Sequence, residues 1–260
     1  MSDLVLNVSG ISKRFGGLQA LTDVRMQIER GQVYGLIGPN GAGKTTFFNV
    51  ITGLYAPDSG NFELAGKPYE PTEVHLVAQA GIARTFQNIR LFAEMTALEN
   101  VMVGRHVRTS SGLLGAIFRT AQFKAEELAI EQRARELLDY VGIANLADYK
   151  ARTLSYGDQR RLEIARALAT DPQLIALDEP AAGMNATEKV QLRELIDKIR
   201  RDHRTVLLIE HDVKLVMGLC DRVTVLDYGK VIAQGTPAEV QRDPQVIEAY
   251  LGTQSGHGGH

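Results

Sequence analysis

Apolar residues fall into two kinds of segment along the chain, and the order of these segments predicts an α/β fold. Short continuous runs at residues 33–37, 174–177 and 206–209 are typical of strands that a parallel sheet buries on both faces. Longer segments at 126–141 and 186–201 have the spacing of helices. Because strands alternate with helices, we expect a doubly wound parallel sheet that binds its ligand at the carboxyl ends of the strands.

The two ends of the chain are predicted to add further β-structure. Residues 4–9 and 24–28 are β-prone and flank a predicted loop at 12–21, whose sequence is SKRFGGLQAL. Residues 223–233 have the pattern of a terminal hairpin with a turn at Tyr228 and Gly229. These segments extend the predicted fold beyond the central sheet.

A mostly helical segment interrupts the alternation of strands and helices. It covers about residues 87–153 and leads into a predicted helix at 154–170. The paired arginines at 160–161 on that helix are expected to lie on a solvated face. We expect one domain over residues 1–252, and a polar, glycine-rich tail at 253–260 that is disordered.

Composition excludes several kinds of protein. The 260 residues carry a net charge of −2, which gives no broad electrostatic case for a nucleic-acid partner. Cys220 is the single cysteine, so we expect no intrachain disulfide and a buried, small apolar side chain. The first residues do not have the form of a secretory leader, and no run approaches the length of a membrane span. If the protein works at a membrane, another component must hold it there.

A glycine-rich segment after the first buried run predicts a nucleotide site. Glycines let successive backbone N–H groups converge on one phosphate, a lysine adds positive charge, and a threonine hydroxyl can bind Mg²⁺. The residues of this segment, GPNGAGKTT, are Gly38, Pro39, Asn40, Gly41, Ala42, Gly43, Lys44, Thr45 and Thr46. The alternative, an ordinary glycine-rich turn, leaves the lysine unexplained.

Polar residues at the ends of the later buried runs predict hydrolytic chemistry. Asp178 and Glu179 follow one run, where one carboxylate can bind Mg²⁺ and the other can polarise an attacking water. His211 follows the next run and can contact the γ-phosphate or hold the water. The alternatives are a solvated turn for the carboxylates and a helix cap or loop position for the histidine.

Three other positions have both a chemical and a structural interpretation. Phe15 can stack on a nucleobase or lie in the core. Gln87 can reach a metal or a water from a strand end, or it is a turn residue. Ser155 with Asp158 can cap a helix, while the start of that helix, next to Gly157, can form a second phosphate site.

Taken in order, GPNGAGKTT, TFQ, LSYGD, LIALDEP, AGMN and IEHD resemble the ATP-binding subunits of ABC transporters, over about residues 4–251. The resemblance implies a P-loop NTPase (RecA-like) parallel-sheet core, an N-terminal antiparallel β subdomain and an inserted α-helical subdomain. It also implies ATP and Mg²⁺ as ligands. Carried over by position, it implies adenine stacking for Phe15, a contact of Gln87 with Mg²⁺ and the membrane partner, and a switch role for His211.

The remaining carried-over roles concern the metal, the base and a second subunit. The resemblance implies Mg²⁺ contacts for Thr45 and Asp178 and a base role for Glu179. The signature residues Ser155, Tyr156, Gly157 and Asp158 would contact ATP bound to the opposite subunit of a head-to-tail dimer. Asp158 replaces the usual glutamine, and Asn185 replaces the usual aspartate after the second carboxylate motif; both substitutions keep the capping roles of these positions.

Longer stretches, including RTFQNIRLF and LSYGDQRRLEIARALA, resemble the ATPase subunits of bacterial importers of branched-chain amino acids. This implies two transmembrane permease subunits, a paralogous ATPase or a second copy, and, indirectly, a periplasmic solute-binding protein. It places the chain peripherally at the cytoplasmic face of the inner membrane. Exposed Leu91, Phe92 and Met95 would form a docking patch for the permease; alternatively they pack within the helical segment.

Other functions compete with this interpretation. The transported solute could be urea or another amide, because substrate choice lies in other subunits. A soluble ABC ATPase acting on nucleic acid or ribosomes commonly joins two ATPase halves, whereas this chain has one. A phosphate-loop kinase would need an acceptor pocket and would release a phosphorylated product.

Overall fold

The computed structural model describes residues 3–106 and 121–254. The chain divides into two compact units, Met1–Arg84 with Gln173–His260, and Thr85–Pro172. The second unit is inserted between two strands of the first. The description of residues 1–252 as one domain stays a prediction.

The first unit contains a four-stranded antiparallel sheet. Its strands are β1 (Leu4–Phe15), β2 (Leu18–Glu29), β4 (Ser59–Leu64) and β5 (Lys67–Pro68), in the order β2-β1-β4-β5. The prediction of a loop at residues 12–21 is wrong. β1 and β2 continue through it and pair down to Phe15 and Leu18, with a turn at Gly16, whose φ is +55°. The polar residues of this hairpin alternate with apolar ones too irregularly for the pattern to predict strands.

The second sheet of this unit is six-stranded and mostly parallel. Its strands are β3 (Val33–Ile37), β6 (Ile82–Arg84), β7 (Leu174–Asp178), β8 (Thr205–Ile209), β9 (Arg222–Asp227) and β10 (Lys230–Gly235). Their order is β10-β9-β3-β8-β7-β6, and only the β9–β10 pair is antiparallel. The three predicted buried runs are its central strands β3, β8 and β7, in which every residue is buried.

The described residues form helices in both units. They are α1 (Lys44–Ile51), α2 (Val74–Ala80), α3 (Ala97–His106), α4 (Ala121–Tyr140), α5 (Tyr156–Leu168), α6 (Ala186–Arg201), α7 (Val213–Leu219), α8 (Pro237–Val240) and α9 (Pro244–Gln254). The sequence did not predict α2. The last helix runs to Gln254, so the predicted tail does not begin at 253, and residues 255–260 lie outside the described part.

The core of the first unit lies between its two sheets. Helix α1 contacts β2 of one sheet and β8 of the other, and Phe47 and Phe48 on it are fully buried. They join a continuous apolar cluster with side chains from both sheets. Burying one phenylalanine contributes about 1.5–3 kcal/mol. The cluster therefore fixes α1, and the loop before it, relative to both sheets.

The second unit is a packed group of helices. Helices α3, α4 and α5 contact one another, and a Cβ on Gly104 would lie 2.4 Å from the carbonyl oxygen of Arg166, so α3 and α5 approach closely there. Thr96 and Glu99 form the reciprocal bonds of a capping box before α3. The least patterned stretch of the sequence falls partly on residues 107–120, which lie outside the described residues.

Candidate functional site

The glycine-rich loop connects β3 to α1, as the sequence predicted. A Cβ on Gly38 would lie 2.1 Å from the carbonyl oxygen of Leu226, so only glycine fits against β9 there. Gly41 and Gly43 have φ values of +79° and +99°, in the left-handed region. Helix α1 starts after Gly43 without a side-chain cap. Its first N–H groups therefore face the loop, as an anion site at a helix start requires.

The Lys44 side chain folds back onto this loop. Its ammonium donates hydrogen bonds to the carbonyl oxygens of Gly38 at 2.7 Å and Pro39 at 2.9 Å. Burial lowers the pKa of Lys44, while the charge of Glu179 opposes that shift. The lysine and this carboxylate are thus close enough to interact electrostatically.

A cavity of about 550 Å³ lies elsewhere on the antiparallel sheet, and two cavities border the loop: one of about 580 Å³ that Pro39, Asn40 and Gly41 share with α9, and a smaller one of about 310 Å³. It brings together residues that are far apart in sequence: Phe15, Leu18, Gln19, Ala20, Gly41, Ala42, Gly43, Lys44, Thr45, Thr46, Tyr228 and Gly229. We assign the nucleotide site to the smaller cavity because it combines an aromatic ring, a helix start and a lysine.

Phe15 lies at the rim of this cavity and is not a core residue. It is 42% exposed, its ring meets the Tyr55 ring edge-on at 5.3 Å, and the Lys13 ammonium lies 5.3 Å from its centre. The core alternative is therefore wrong. Leu18 and Tyr228 were not predicted as lining residues, because a hairpin and a distant turn bring them to the cavity.

The turn at Tyr228 and Gly229 is attached to the loop by main-chain bonds. The Gly229 N–H donates to the Ala42 carbonyl at 2.9 Å, and the Gly229 carbonyl accepts from the Thr22 N–H at 2.8 Å. A Cβ on Gly229 would lie 2.3 Å from the Ala20 carbonyl oxygen. This turn therefore joins β2 and the glycine-rich loop.

The two adjacent carboxylates are not in a solvated turn. Asp178 is the last residue of β7 and is 5% exposed, and the Glu179 side chain is 20% exposed. Glu179 has a φ of +44°, and its N–H donates to the Ile209 carbonyl at 2.9 Å. A glutamate in this unfavourable backbone conformation is maintained by the surrounding structure, as is common at functional sites.

His211 lies beside Glu179 after β8. Its Nδ1 is 3.5 Å from the Glu179 carboxylate and 3.8 Å from that of Glu210, and the ring is exposed. The structure therefore brings together the histidine and the glutamate that the sequence analysis singled out. Asp212 caps α7, accepting from the Leu215 N–H.

The sequence analysis assigned no role to Glu210. Its carboxylate is fully buried and accepts hydrogen bonds from the N–H groups of Ala181 at 2.9 Å and His211 at 3.2 Å. Burial raises its pKa, although these N–H groups and His211 oppose the shift. Glu210 thus connects the segment after Glu179 to the segment that carries His211. The sequence did contain a signal for this role: Glu210 is an acidic residue that directly follows the apolar run at 206–209.

The second unit carries the other predicted site residues, Gln87 and the signature segment. Gln87 is exposed, and its carbonyl accepts a hydrogen bond from Arg160. Ser155 caps α5: its hydroxyl accepts from the Asp158 N–H at 3.2 Å and donates to the Asp158 carboxylate at 2.7 Å. Tyr156 is exposed and Gly157 is buried.

The donor atoms of the first unit fit a nucleotide with a hard divalent cation. Gly41 has open space where a Cβ would lie, and the Thr45 hydroxyl and Asp178 carboxylate are the oxygen ligands that Mg²⁺ prefers. Among residues 3–106 and 121–254, no cluster of three or more His, Cys, Asp or Glu forms a metal site.

Comparison with known proteins identifies the class to which this site belongs. The model of the ABC transporter family matches residues 21–182, and a second model, the branched-chain amino acid ATP-binding cassette transporter, matches residues 230–255. The chain therefore belongs to the ABC transporter family as an ATP-binding cassette, and it is an ATPase.

Individual relatives match nearly the whole chain. The high-affinity branched-chain amino acid transport ATP-binding protein BraF of Pseudomonas aeruginosa is 47% identical, covering 97% of this chain and 99% of BraF. The ADP conformation of the ATP-binding cassette MJ1267 has a TM-score of 0.82 at 34% identity, covering 96% of this chain and 99% of that one. The dimeric post-hydrolysis structure of the cassette MJ0796, bound to ADP and phosphate, has a TM-score of 0.74 at 25% identity, with coverage of 89% and 98%.

A helix that crosses a membrane must be both long and apolar. None of the helices in residues 3–106 and 121–254 combines the length and the apolar character that a membrane-spanning helix needs.

Proposed function

We propose that this chain hydrolyses ATP to power an importer of branched-chain amino acids. The observation that carries the ATPase mechanism is the pairing of Glu179 with His211 at 3.5 Å, in the unit that holds the phosphate loop. The assignment of the solute is supported by BraF, whose name states branched-chain amino acid transport, and by the family match at residues 230–255.

In this proposal the predicted site residues have separate roles in binding and hydrolysis. Phe15 stacks on the adenine, and the amides of residues 38–46 hold the phosphates. On nucleotide binding, the Lys44 ammonium exchanges its two loop carbonyls for phosphate oxygens, which are stronger partners because they are charged. Thr45, Asp178 and Gln87 are the proposed ligands of Mg²⁺, which neutralises charge on the phosphates when bound.

Glu179 is the proposed base that polarises the attacking water. The Glu179 backbone is fixed by its bond to Ile209, so the carboxylate is held in place before nucleotide binds. His211 can donate a hydrogen bond to the γ-phosphate or hold the water in line while its Nδ1 faces Glu179. Glu210 accepts hydrogen bonds from the N–H groups of Ala181 and His211, and so holds the segment after Glu179 against the segment that carries His211.

A second cassette would complete the site. In the proposed head-to-tail dimer, Ser155, Tyr156, Gly157 and Asp158 contact the ATP held by the other subunit, which is a paralogue or a second copy. The exposed start of α5 supports this role, because helix N-termini favour phosphate. The dimer of MJ0796 is a precedent within the family.

Membrane subunits are the other proposed partners. Phe92 and Met95 are exposed, whereas Leu91, which was expected to be exposed, is half-buried. The two exposed side chains support a docking patch for a helix of one of two permease subunits, at the cytoplasmic face of the inner membrane. A periplasmic solute-binding protein would act through those subunits. No nucleic-acid partner is proposed.

The test is a Glu179→Gln variant purified with the membrane proteins that accompany this chain. We expect ATP to remain bound, a stable dimer and loss of phosphate release; the matched control, Glu194→Gln on the exposed face of α6, should hydrolyse ATP normally. Near-normal turnover in Glu179→Gln would refute the assignment of the base. Wild-type assembly should be stimulated by leucine, isoleucine or valine, and stimulation by urea instead would refute the proposed solute class.

A further inference from the structure

Arg160 is a fully buried arginine on the helix that carries the signature segment. The sequence predicted a solvated position, and that prediction is wrong: the Arg160 side chain is 0% exposed and that of its partner Glu163 is 1% exposed. Burying a guanidinium is costly unless its N–H groups are paired. The hydrogen-bond partners of the Arg160 N–H groups therefore show which part of the chain this buried charge holds in place.

The Arg160 guanidinium binds the backbone next to Gln87. One terminal nitrogen donates to the Phe86 carbonyl at 2.6 Å and to the Glu163 carboxylate at 2.8 Å. The other donates to the Gln87 carbonyl at 2.9 Å and to the Tyr156 hydroxyl at 3.2 Å. The planar fork of an arginine makes these bonds at once, and a lysine cannot reproduce them.

Glu163 holds the same short segment from its other side. Its second carboxylate oxygen accepts the Phe86 N–H at 3.1 Å. Both backbone polar groups of Phe86 and the carbonyl of Gln87 are therefore bound by two side chains that lie one turn apart on α5. A buried ion pair is weak grounds for a purely stabilising role, because apolar residues of similar volume often stabilise as well.

Tyr156 extends this network to the surface. It is the second residue of the signature segment and is exposed, while its hydroxyl meets the buried Arg160. A side chain at the start of α5 is thus two hydrogen bonds away from the backbone of Gln87. All of these residues lie in the second unit, Thr85–Pro172.

We propose that Arg160 and Glu163 are positioning residues that fix the Gln87 backbone and link it to Tyr156. A nucleotide that contacts the signature segment would then change the placement of Gln87 through Arg160. The inference rests on the proposed role of Gln87 at Mg²⁺, and it adds the side chains that hold that glutamine in place.

The first test measures amide hydrogen exchange in the nucleotide-free full chain. In Arg160→Lys we expect the Phe86 amide to exchange about tenfold faster, because its acceptor Glu163 loses the buried ion-pair partner that holds it, with no change in β3 or α1. Arg135→Lys, on the exposed face of α4, is the matched control and should leave that exchange unchanged. If Arg160→Lys does not fold, Glu163→Gln is measured instead. Unchanged exchange in a folded variant overturns the proposal.

The second test measures the affinity for a fluorescent ATP analogue with Mg²⁺ and with a chelator. Loss of a residue behind a metal ligand typically costs about 10–100-fold in metal affinity. We therefore expect Arg160→Lys to raise the Mg²⁺ requirement at least tenfold without changing affinity in the chelator. Gln87→Ala should do the same, and the double variant should be no worse than either one.

The outcomes separate the two proposals. If Gln87→Ala shifts the Mg²⁺ requirement and Arg160→Lys does not, or if the two effects add, the positioning role is wrong while the role of Gln87 stands. If Gln87→Ala itself has no effect, the proposed role of Gln87 fails, and the positioning inference fails with it.

Discussion

Replacing Gly43 by alanine should destabilise the protein more than the same change at Gly41. Both residues have a left-handed backbone, with φ of +99° and +79°. A Cβ at Gly43 would lie 2.9 Å from the Ala20 carbonyl oxygen and 3.1 Å from a methyl of Leu21, whereas a Cβ at Gly41 meets nothing within 4 Å. The pair therefore separates backbone strain from the close approach of the loop to β2.

The expected magnitudes follow from these two contributions. A left-handed conformation costs an L-residue about 1–2 kcal/mol, which is the whole expected loss for Gly41→Ala. Forcing an extra methyl into a packed site adds about 1–3 kcal/mol, so Gly43→Ala should lose about 2–5 kcal/mol in total. For a protein of this size, each kcal/mol lowers Tm by about 2–4 °C.

The assay is urea unfolding followed by circular dichroism, without nucleotide, because a bound ligand would add its own stabilisation. Fluorescent-nucleotide binding, measured separately, reports the effect on the site. If the two variants lost the same free energy within about 0.5 kcal/mol, the contact between the loop and β2 would not constrain Gly43, and the reasoning would be refuted.

Two further predictions concern Glu210 and Phe92. Because burial raises the pKa of Glu210 above its usual 4.5, its protonation favours the folded state; that contribution is complete below pH 4.5 and is lost as pH rises through the raised value. Glu210→Gln does not titrate, so its free energy of unfolding should rise relative to that of the wild type as pH increases from 5 to 7.5 in urea unfolding. A difference that stays constant over this range would contradict the prediction. Phe92→Asp should release the chain from membranes without changing nucleotide affinity, unlike Leu128→Asp, an exposed apolar control on α4; retained membrane association would count against the docking patch.

Local signals in the sequence were sufficient for much of the fold. Helix α6 and the buried strands β3 and β7 follow the pattern closely, because continuous apolar runs and caps such as Asn185 with Glu188 are determined by neighbouring residues. The glycine-rich loop was predictable for the same reason, since its glycines, lysine and threonine are consecutive. The capping box at Asn185 is present with both of its bonds.

Features that depend on distant partners were not predictable. A charged residue on a helix is normally solvated, and only the carbonyls of Phe86 and Gln87, more than seventy positions away, explain why Arg160 is buried. The turn that places Tyr228 at the nucleotide cavity likewise depends on β2. The roles proposed for the site residues stay predictions, because placement alone does not show what each side chain does in hydrolysis.

The main-chain bond between Gly229 and Ala42 has a consequence for how the protein matures during synthesis. The phosphate-binding loop is translated well before Gly229, which anchors it. A nascent chain released from the ribosome before that anchor emerges would carry an incomplete pocket. Bound ATP would therefore stabilise polypeptides that contain Gly229, and products truncated before it would lack the extra stability that a bound nucleotide gives.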